Sequence, residues 1–317
     1  MEQRPDLSIV IVTFNGRDKA LATLRSAHDR LGPVSAQWLV VDNGSRDGTP
    51  DEIAAAFPGV RLFRERNRGF AAGNNVALPH ARGRYVLLMN PDVEIRDGTL
   101  ADLVAAMDAR PEVGLASVRQ YATDGTLLAS IRRFPTPARG FGEALGAGGI
   151  GALARFQELD TDFGRYDEER SADWLVGAFL VARREAVTQV GPLDERFFLY
   201  AEETDWCRRF RRHGWDVRHL PHVTITHHEG DNKRPEMVAQ LGHSRRRYAY
   251  KHFAWPRAAA LHAALALGHL IRVAVFAPLA ALRPHLRGRA RAEAFGLAVV
   301  CGAPPPFGTE DRRATAR

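Results

Sequence analysis

The chain has 317 residues, 45% hydrophobic and 26% charged, which fits one large globular domain or two small ones and excludes a disordered or fibrous protein. Its two cysteines, Cys207 and Cys301, exclude a disulfide framework and fit a reducing compartment. The net charge of +7 rests almost wholly on arginine, since only Lys19, Lys233 and Lys251 are lysines; it points to anionic substrates or a membrane surface, and no nucleic-acid motif accompanies it.

Met1 to Asp6 is polar and runs straight into an apolar stretch, so no signal peptide is expected. Leu7 to Phe14 reads as a strand buried on both faces, followed by a polar turn and a helix with apolar positions at Ala20, Leu21, Leu24, Ala27 and Leu31. A second strand, Trp38 to Val41, ends at Asp42 before a dense turn cluster, and a short helix begins near Thr49 and Pro50. Val60 to Phe63 is the third strand. The small residues and amides of Asn67 to Asn75 then suit close backbone approach, either to a ligand or to a neighbouring element.

Tyr85 to Met89 is the fourth strand. Pro91 cannot join a sheet ladder, so the strand stops at Asn90-Pro91-Asp92, with Asp92 just past its carboxyl end. That sequence is either an ordinary turn or a carboxylate set to hold a cation with phosphate oxygens. A helix over Thr99 to Arg110 and a strand over Val113 to Val118 follow. The alternation predicts an α/β fold: a mostly parallel sheet with helices on both faces and strand order 3-2-1-4. This order gathers Thr13, Asn15, Asp42 and Asp92 at the edge where open α/β sheets bind ligands.

Residues 119 to 172 read as an insertion or mobile loop. Asp173 to Val181 resumes as a strand, in which Trp174 is either a sugar platform or a core residue. A helix over Ala201 to Gly214 carries Glu202, Glu203 and Asp205 in its first turn. Asp205 lies three residues after Glu202, so those two form the expected structural pair and Glu203 points elsewhere. Val223 to Thr226 is a short strand running into the tandem His227-His228, ligand candidates or structural. Ala258 to Leu282 is mostly apolar but holds Arg272, which fits an interfacial helix, or a soluble hairpin packed on the domain, better than a spanning one. The tail after Gly302 is expected to be disordered.

Taken in order, Ile9–Asn15, Val40–Ser45, Asn67–Asn75, Gly83–Asp92, Phe197–Cys207 and His227-His228 resemble the inverting family 2 glycosyltransferases of the GT-A fold, and within them the bacterial rhamnosyltransferase-like branch. The resemblance spans roughly residues 7 to 255. It implies that Thr13, Asn15 and Asp42 contact the nucleobase and ribose of a nucleoside-diphosphate-sugar, with Asn67, Gly69 and Asn74 lining the same pocket. Asn90-Pro91-Asp92 stands where the family carries its Asp-x-Asp motif, so Asp92 would bind Mn2+ or Mg2+ with His227 as a further ligand. Glu203 stands where many members carry the catalytic Asp. Trp174 and Gly177, with Glu202 and Asp205, lie where the acceptor would sit. Two positions depart from the family: Asn90 replaces the first Asp of the metal motif, and Glu203 replaces Asp.

The implied protein is a transferase on residues 1–255, with a nucleotide-sugar half near 1–118 and an acceptor half near 173–255. A helical extension follows over 256–302, with a disordered tail at 303–317. The implied partners are a nucleotide-sugar donor, a glycan or lipid-linked acceptor and an anionic membrane surface at the inner face of the cell membrane. A nucleotidyltransferase and a non-catalytic nucleotide-sugar-binding or scaffold protein are the competing readings.

Overall fold

The structure, a computed structural model, describes residues 4–147, 151–228 and 234–308. The chain divides into two compact units. The first comprises residues 1–132, 161–195 and 202–229; the second comprises 133–160, 196–201 and 230–317.

In the first unit the apolar runs become strands: β1 (Leu7–Thr13), β2 (Ala36–Asp42), β3 (Arg61–Arg64) and β4 (Tyr85–Met89). Every residue of β1 and β4 is buried, as continuous apolar runs covered on both faces require. The four pair in parallel in the order β3-β2-β1-β4, as the alternation predicted. Helix α1 (Arg17–Asp29) buries Ala20, Leu21, Leu24 and Ala27 against the core, the face its spacing marked. Next come α2 (Thr49–Ala56) and α3 (Phe70–Ala77). A Cβ on Gly73 would fall 2.7 Å from Val12 Cγ1, so the small residues of α3 serve its close packing on β1.

After β4 the chain departs from the simple alternation. Asn90-Pro91-Asp92 is a tight turn into β5 (Val93–Asp97), a strand the sequence reading lacked. Helix α4 (Leu100–Asp108) opens on a capping box between Thr99 and Asp102, and β6 (Val113–Tyr121) follows. The two-residue strands β7 (Ile131–Arg132) and β9 (Trp174–Leu175) pair with each other, and β8 (Arg170–Ser171) lies between them in sequence. The apolar run 173–181 is therefore not one strand. It breaks at Val176–Ala178 and resumes as β10 (Phe179–Arg183), antiparallel to β4. Helices α6 (Arg184–Val190) and α7 (Glu202–Arg212) lead to β11 (Asp216–His227), longer than Val223 to Thr226 and bulged between His219 and Thr224 around Pro221. The sheet order is β3-β2-β1-β4-β10-β6-β11-β5, with β8 paired to β11 off this path.

The second unit is helical: α5 (Pro137–Ala144), α8 (Pro235–His252), α9 (Trp255–Leu282) and α10 (Arg287–Val300) pack on one another. It begins before the boundary expected at 255 and takes in half of the segment read as a loop. Half-buried Arg245 on α8 ties it together, reaching Glu143 at 3.3 Å and Glu158 at 2.6 Å. Arg272 on α9 does not face hydrocarbon alone, because Glu293 of α10 lies 2.8 Å away. The expected disorder from 303 is corrected in part: Phe307 stacks on Phe198 at 5.7 Å. Residues 309–317 lie outside the described residues, as do Glu229 and Gly230.

Candidate active site

β1 lies between β2 and β4, so three strand ends meet at the carboxyl edge of the sheet. Thr13 and Asp42 are register partners there. The Asp42 carboxylate accepts the Gly44 and Ser45 N–H groups through Oδ2, at 3.1 and 3.0 Å, which shapes the turn and leaves Oδ1 for something else. Thr13 Oγ1, Asp42 Oδ1 and Asn90 Oδ1 are all buried without a hydrogen-bond partner among the described residues. Buried polar atoms are normally satisfied, so three orphans on adjacent strand ends mark a place for a polar ligand.

Asp92 is set by backbone and side-chain contacts together. The His228 N–H donates to the Asp92 carbonyl at 2.8 Å, while His227 Nε2 stands 3.3 Å from Asp92 Oδ1. Lys19 Nζ lies 3.8 Å from Asp92 Oδ2 and donates to the His228 carbonyl at 2.9 Å. Among the described residues no cluster of three or more His, Cys, Asp or Glu forms. Asp92 and His227 thus offer one hard oxygen and one imidazole nitrogen. That fits a divalent cation whose other ligands come from a bound diphosphate and water.

Two residues in left-handed conformation, Tyr200 (φ 67°) and Ala201 (φ 66°), lead into α7. Neither is a glycine, and such geometry costs about 1–3 kcal/mol each. Glu203 comes to rest against Gly177, where a Cβ would lie 3.3 Å from Glu203 Cβ. The next residue, Ala178, accepts the Asn90 N–H at 2.9 Å. Glu203 is therefore one residue removed from the β4 end that carries the Asn90-Pro91-Asp92 turn.

The three carboxylates of α7 separate by environment. Asp205 is fully buried and bound to Arg209 at 2.9 Å, not paired with Glu202 as the spacing suggested. Glu202 is buried, and burial first, then the neighbouring Glu203 charge, pushes its carboxyl well above the usual range. The two neighbours thus differ in environment: Glu202 is buried and pushed towards its neutral form, whereas Glu203 is half-buried.

Other expected site residues are placed differently. Trp174 is only 8% exposed and Arg132 covers its ring at 5.6 Å, so it is a core residue and not an open sugar platform. Asp205, closed off by Arg209, cannot reach an acceptor either. Asn74 is buried and donates to the Phe70 carbonyl at 2.9 Å, so it braces α3 from within. Asn67 Oδ1 accepts the Gly69 N–H at 3.0 Å, and Asn15 Oδ1 accepts the Arg46 N–H at 2.8 Å; both shape loops beside the strand ends. Asn43 was missed: its Nδ2 donates to the Gly69 carbonyl at 3.1 Å and joins the two loops. Lys19 was also missed, although its rarity was a signal.

Comparison with known proteins adds the family. A model described as "Glycosyl transferase family 2" matches residues 8–167, and one described as "Glycosyl transferase family group 2" matches residues 153–301. An N-acetylglucosaminyl-diphospho-decaprenol L-rhamnosyltransferase from Mycobacterium tuberculosis is 30% identical over 80% of this chain and 87% of its own length. The chain belongs to glycosyl transferase family 2. This glycosyltransferase is of the rhamnosyltransferase-like kind; the rhamnosyltransferase WbbL of Escherichia coli is more distant, at 19% identity over 71% of this chain and 84% of its own. A mannosyltransferase from Pyrobaculum calidifontis, solved with GDP-Man and Mn2+, superposes with a TM-score of 0.57 at 18% identity, covering 98% of this chain and 89% of that one. The fold of the glycosyltransferase is GT-A, as the motifs implied.

Two expected results arise from this geometry. Gly177→Ala should lower turnover roughly tenfold with little change in melting temperature, because the new methyl must push Glu203 by a few tenths of an ångström. Steady-state kinetics beside thermal melting would show it, and wild-type turnover would mean Glu203 tolerates the shift. Glu202→Gln concerns pH. The native state holds the Glu202 proton more tightly than the unfolded chain, whose carboxyl titrates near 4.5. The associated stability is full below that value and is lost as pH rises towards the raised native value. The variant should therefore melt higher than wild type at about pH 8, with the difference closing as pH falls towards 4.5. A lower melting temperature at the alkaline end would contradict an upward shift of the Glu202 carboxyl.

Proposed function

We propose that this glycosyltransferase moves a sugar from a nucleoside-diphosphate-sugar to a hydroxyl of a glycan or lipid-linked saccharide by a single inverting displacement. L-Rhamnose is the sugar to test first, given the relative from Mycobacterium tuberculosis. The observation that carries the reading is the convergence of Thr13, Asp42 and Asp92 on adjacent strand ends, with Glu203 against Gly177 one residue from the same edge.

Each residue has a part. Thr13 Oγ1 and Asp42 Oδ1 receive the nucleobase and ribose, which satisfies two buried orphans. Asp92 and His227 would hold Mn2+ or Mg2+, which when bound would supply positive charge to the departing diphosphate. Glu203 takes the proton of the acceptor hydroxyl as its oxygen attacks the anomeric carbon. No covalent intermediate is required. Asn90 places an amide where a second carboxylate would add charge, so Asp92 would be the one carboxylate that this turn offers a cation.

Attachment to the anionic inner face of the cell membrane belongs to the same reading. α9 is long and apolar enough to cross a membrane, with mean hydropathy 1.9 over its best window and only 17% of that window buried. Exposed Arg283, Arg287, Arg289 and Arg291 follow it, which suits a helix lying in the interface.

Thermal-shift measurement tests the donor assignment. dTDP-, UDP- or GDP-linked sugars with Mn2+ should raise the melting temperature of the wild type, and Asp42→Asn should abolish that rise. A panel in which no nucleotide-sugar stabilises the protein, or in which Asp42→Asn responds equally, would overturn it.

A further inference from the structure

Helix α3 is fastened at both ends, and the two fastenings lead to different parts of the site. At its start the Gly69 carbonyl accepts Asn43 Nδ2, one residue past Asp42, at 3.1 Å. In its last turn Asn75 reaches the loop after α6. Asn75 Oδ1 accepts the Leu193 N–H at 3.0 Å, and Nδ2 donates to the Leu193 carbonyl at 2.8 Å. Nδ2 also donates to Glu195 Oε1 at 3.0 Å, while Arg68 holds Glu195 Oε2 at 3.2 Å.

Leu193 is 3% exposed and lies in no strand, so its backbone polar groups need partners from elsewhere. Asn75 serves it as a neighbouring strand would, taking its N–H and its C=O together. Only an amide side chain can do this. A carboxylate at neutral pH only accepts, and a cationic side chain only donates. Both Nδ2 hydrogens of Asn75 are engaged, one on Leu193 and one on Glu195.

The three residues before Leu193 carry α7. Arg209 donates to the Val190 carbonyl at 2.8 Å and to the Pro192 carbonyl at 2.7 Å, while its Nε donates to Asp205 at 2.9 Å. These are charge-assisted bonds in a fixed fork, the strong kind. Buried Trp206 donates from Nε1 to the Gly191 carbonyl at 3.0 Å. Trp206 lies one turn after Glu203, about 4.5 Å along the helix axis. The helix that bears Glu203 thus hangs on carbonyls 190, 191 and 192, and the next residue is the one Asn75 clamps. At the other end of the same route, α3 packs on Val12 through Gly73 and bonds Asn43, so it shares the frame of Thr13 and Asp42.

We propose that Asn75 is a positioning residue: by clamping Leu193 it registers Glu203 against the strand ends that receive the nucleotide-sugar. The role of Glu203 as base rests on the transfer reading above; the hydrogen-bonded route from α3 to α7 does not. Misplacing a reacting group by about 1 Å costs on the order of a hundredfold in rate. Thr13, Asp42 and Asp92 lie on other elements, so loss of the clamp should slow the chemical step and spare nucleotide-sugar affinity. A brace that served folding alone would show no dependence on whether Glu203 is present.

The test is a double-mutant cycle on the full-length protein, read as single-turnover transfer with nucleotide-sugar binding by calorimetry. Asn75→Ala should lower the rate roughly 10–100-fold in the wild-type background. In the Glu203→Gln background it should cost less than about threefold, because no base remains to misplace. Affinity for the nucleotide-sugar should stay near wild type in both. Asn75→Asp keeps the bond from the Leu193 N–H and loses the two donated ones; it should fall between, and it carries the same cycle if Asn75→Ala does not fold. Equal losses in the two backgrounds, wild-type turnover in Asn75→Ala, or a matching loss of nucleotide-sugar affinity would overturn the proposal. The Glu203→Gln arm separates the two claims. A slow Glu203→Gln with an additive Asn75→Ala rejects the positioning role alone. Wild-type turnover in Glu203→Gln rejects the base, and the positioning role with it.

Discussion

Glu203→Gln lowers the single-turnover rate of sugar transfer by roughly 10²–10⁴ while donor affinity stays near wild type. The substitution keeps the shape of the side chain and its packing against Gly177, and removes only the capacity to accept a proton. Three carboxylates stood within one helical turn, and the structure separates them. Asp205 is spent on Arg209 inside the protein, and Glu202 is buried with its carboxyl pushed towards the neutral form. Glu203 alone of the three is half-buried and lies next to the β10 entry that bonds Asn90. The donor contacts lie on other strands, so binding should survive. Single-turnover transfer, with donor binding by calorimetry, checks both halves. Near wild-type turnover would move the base elsewhere, and an equal loss of donor binding would make Glu203 a donor contact.

Asp92→Asn should cost at least roughly a hundredfold in turnover and weaken Mn2+ binding, measured by calorimetry with a nucleoside diphosphate present, by roughly 10–100-fold. With an amide already at position 90, Asp92 is the single carboxylate of the Asn90-Pro91-Asp92 turn, so no acidic neighbour in that turn can substitute. Its present company is Lys19 and His227, one a cation and one an imidazole. Chelator should abolish activity and Mn2+ restore it. Full activity of the wild type in excess chelator would remove the cation from the mechanism and leave Lys19 as the charge facing the diphosphate.

The parallel half of the sheet was legible because strands buried on both faces are written as unbroken apolar runs, and Leu7–Thr13 and Tyr85–Met89 are such runs. Their order followed from crossover geometry, which also brought Thr13, Asp42 and Asp92 to one edge. The antiparallel half was harder. Val93–Asp97 is short and follows the proline turn, and its one mark of a half-buried strand, the alternation of Val93 and Ile95 with Glu94 and Arg96, was passed over. The first half of β11 is interrupted by Pro221, and its bulge is a tertiary accommodation. Residues 173–181 looked continuous because an apolar run does not show where hydrogen-bonding partners change.

Site residues divided along a similar line. Strand-end carboxylates can be located from topology, whereas the exposure of Trp174, Asn74 and Asp205 depends on neighbours distant in sequence. Arg132 covers Trp174 from another strand. Asp205 found Arg209 four residues on, although Glu202 three residues back was equally close by helical geometry. Opposite charge decided between them. Lys19 reaches Asp92 from a helix whose spacing spoke only of its buried face.

The most direct measurement follows the products of one reaction. The full-length protein, a nucleotide-sugar that stabilises it and a lipid-linked saccharide acceptor are incubated with Mn2+; the released nucleotide is identified by chromatography and the anomeric configuration of the product by NMR. A single displacement with Glu203 as base predicts a nucleoside diphosphate and a glycoside of inverted configuration. Retained configuration, or release of pyrophosphate in place of the nucleoside diphosphate, would contradict it.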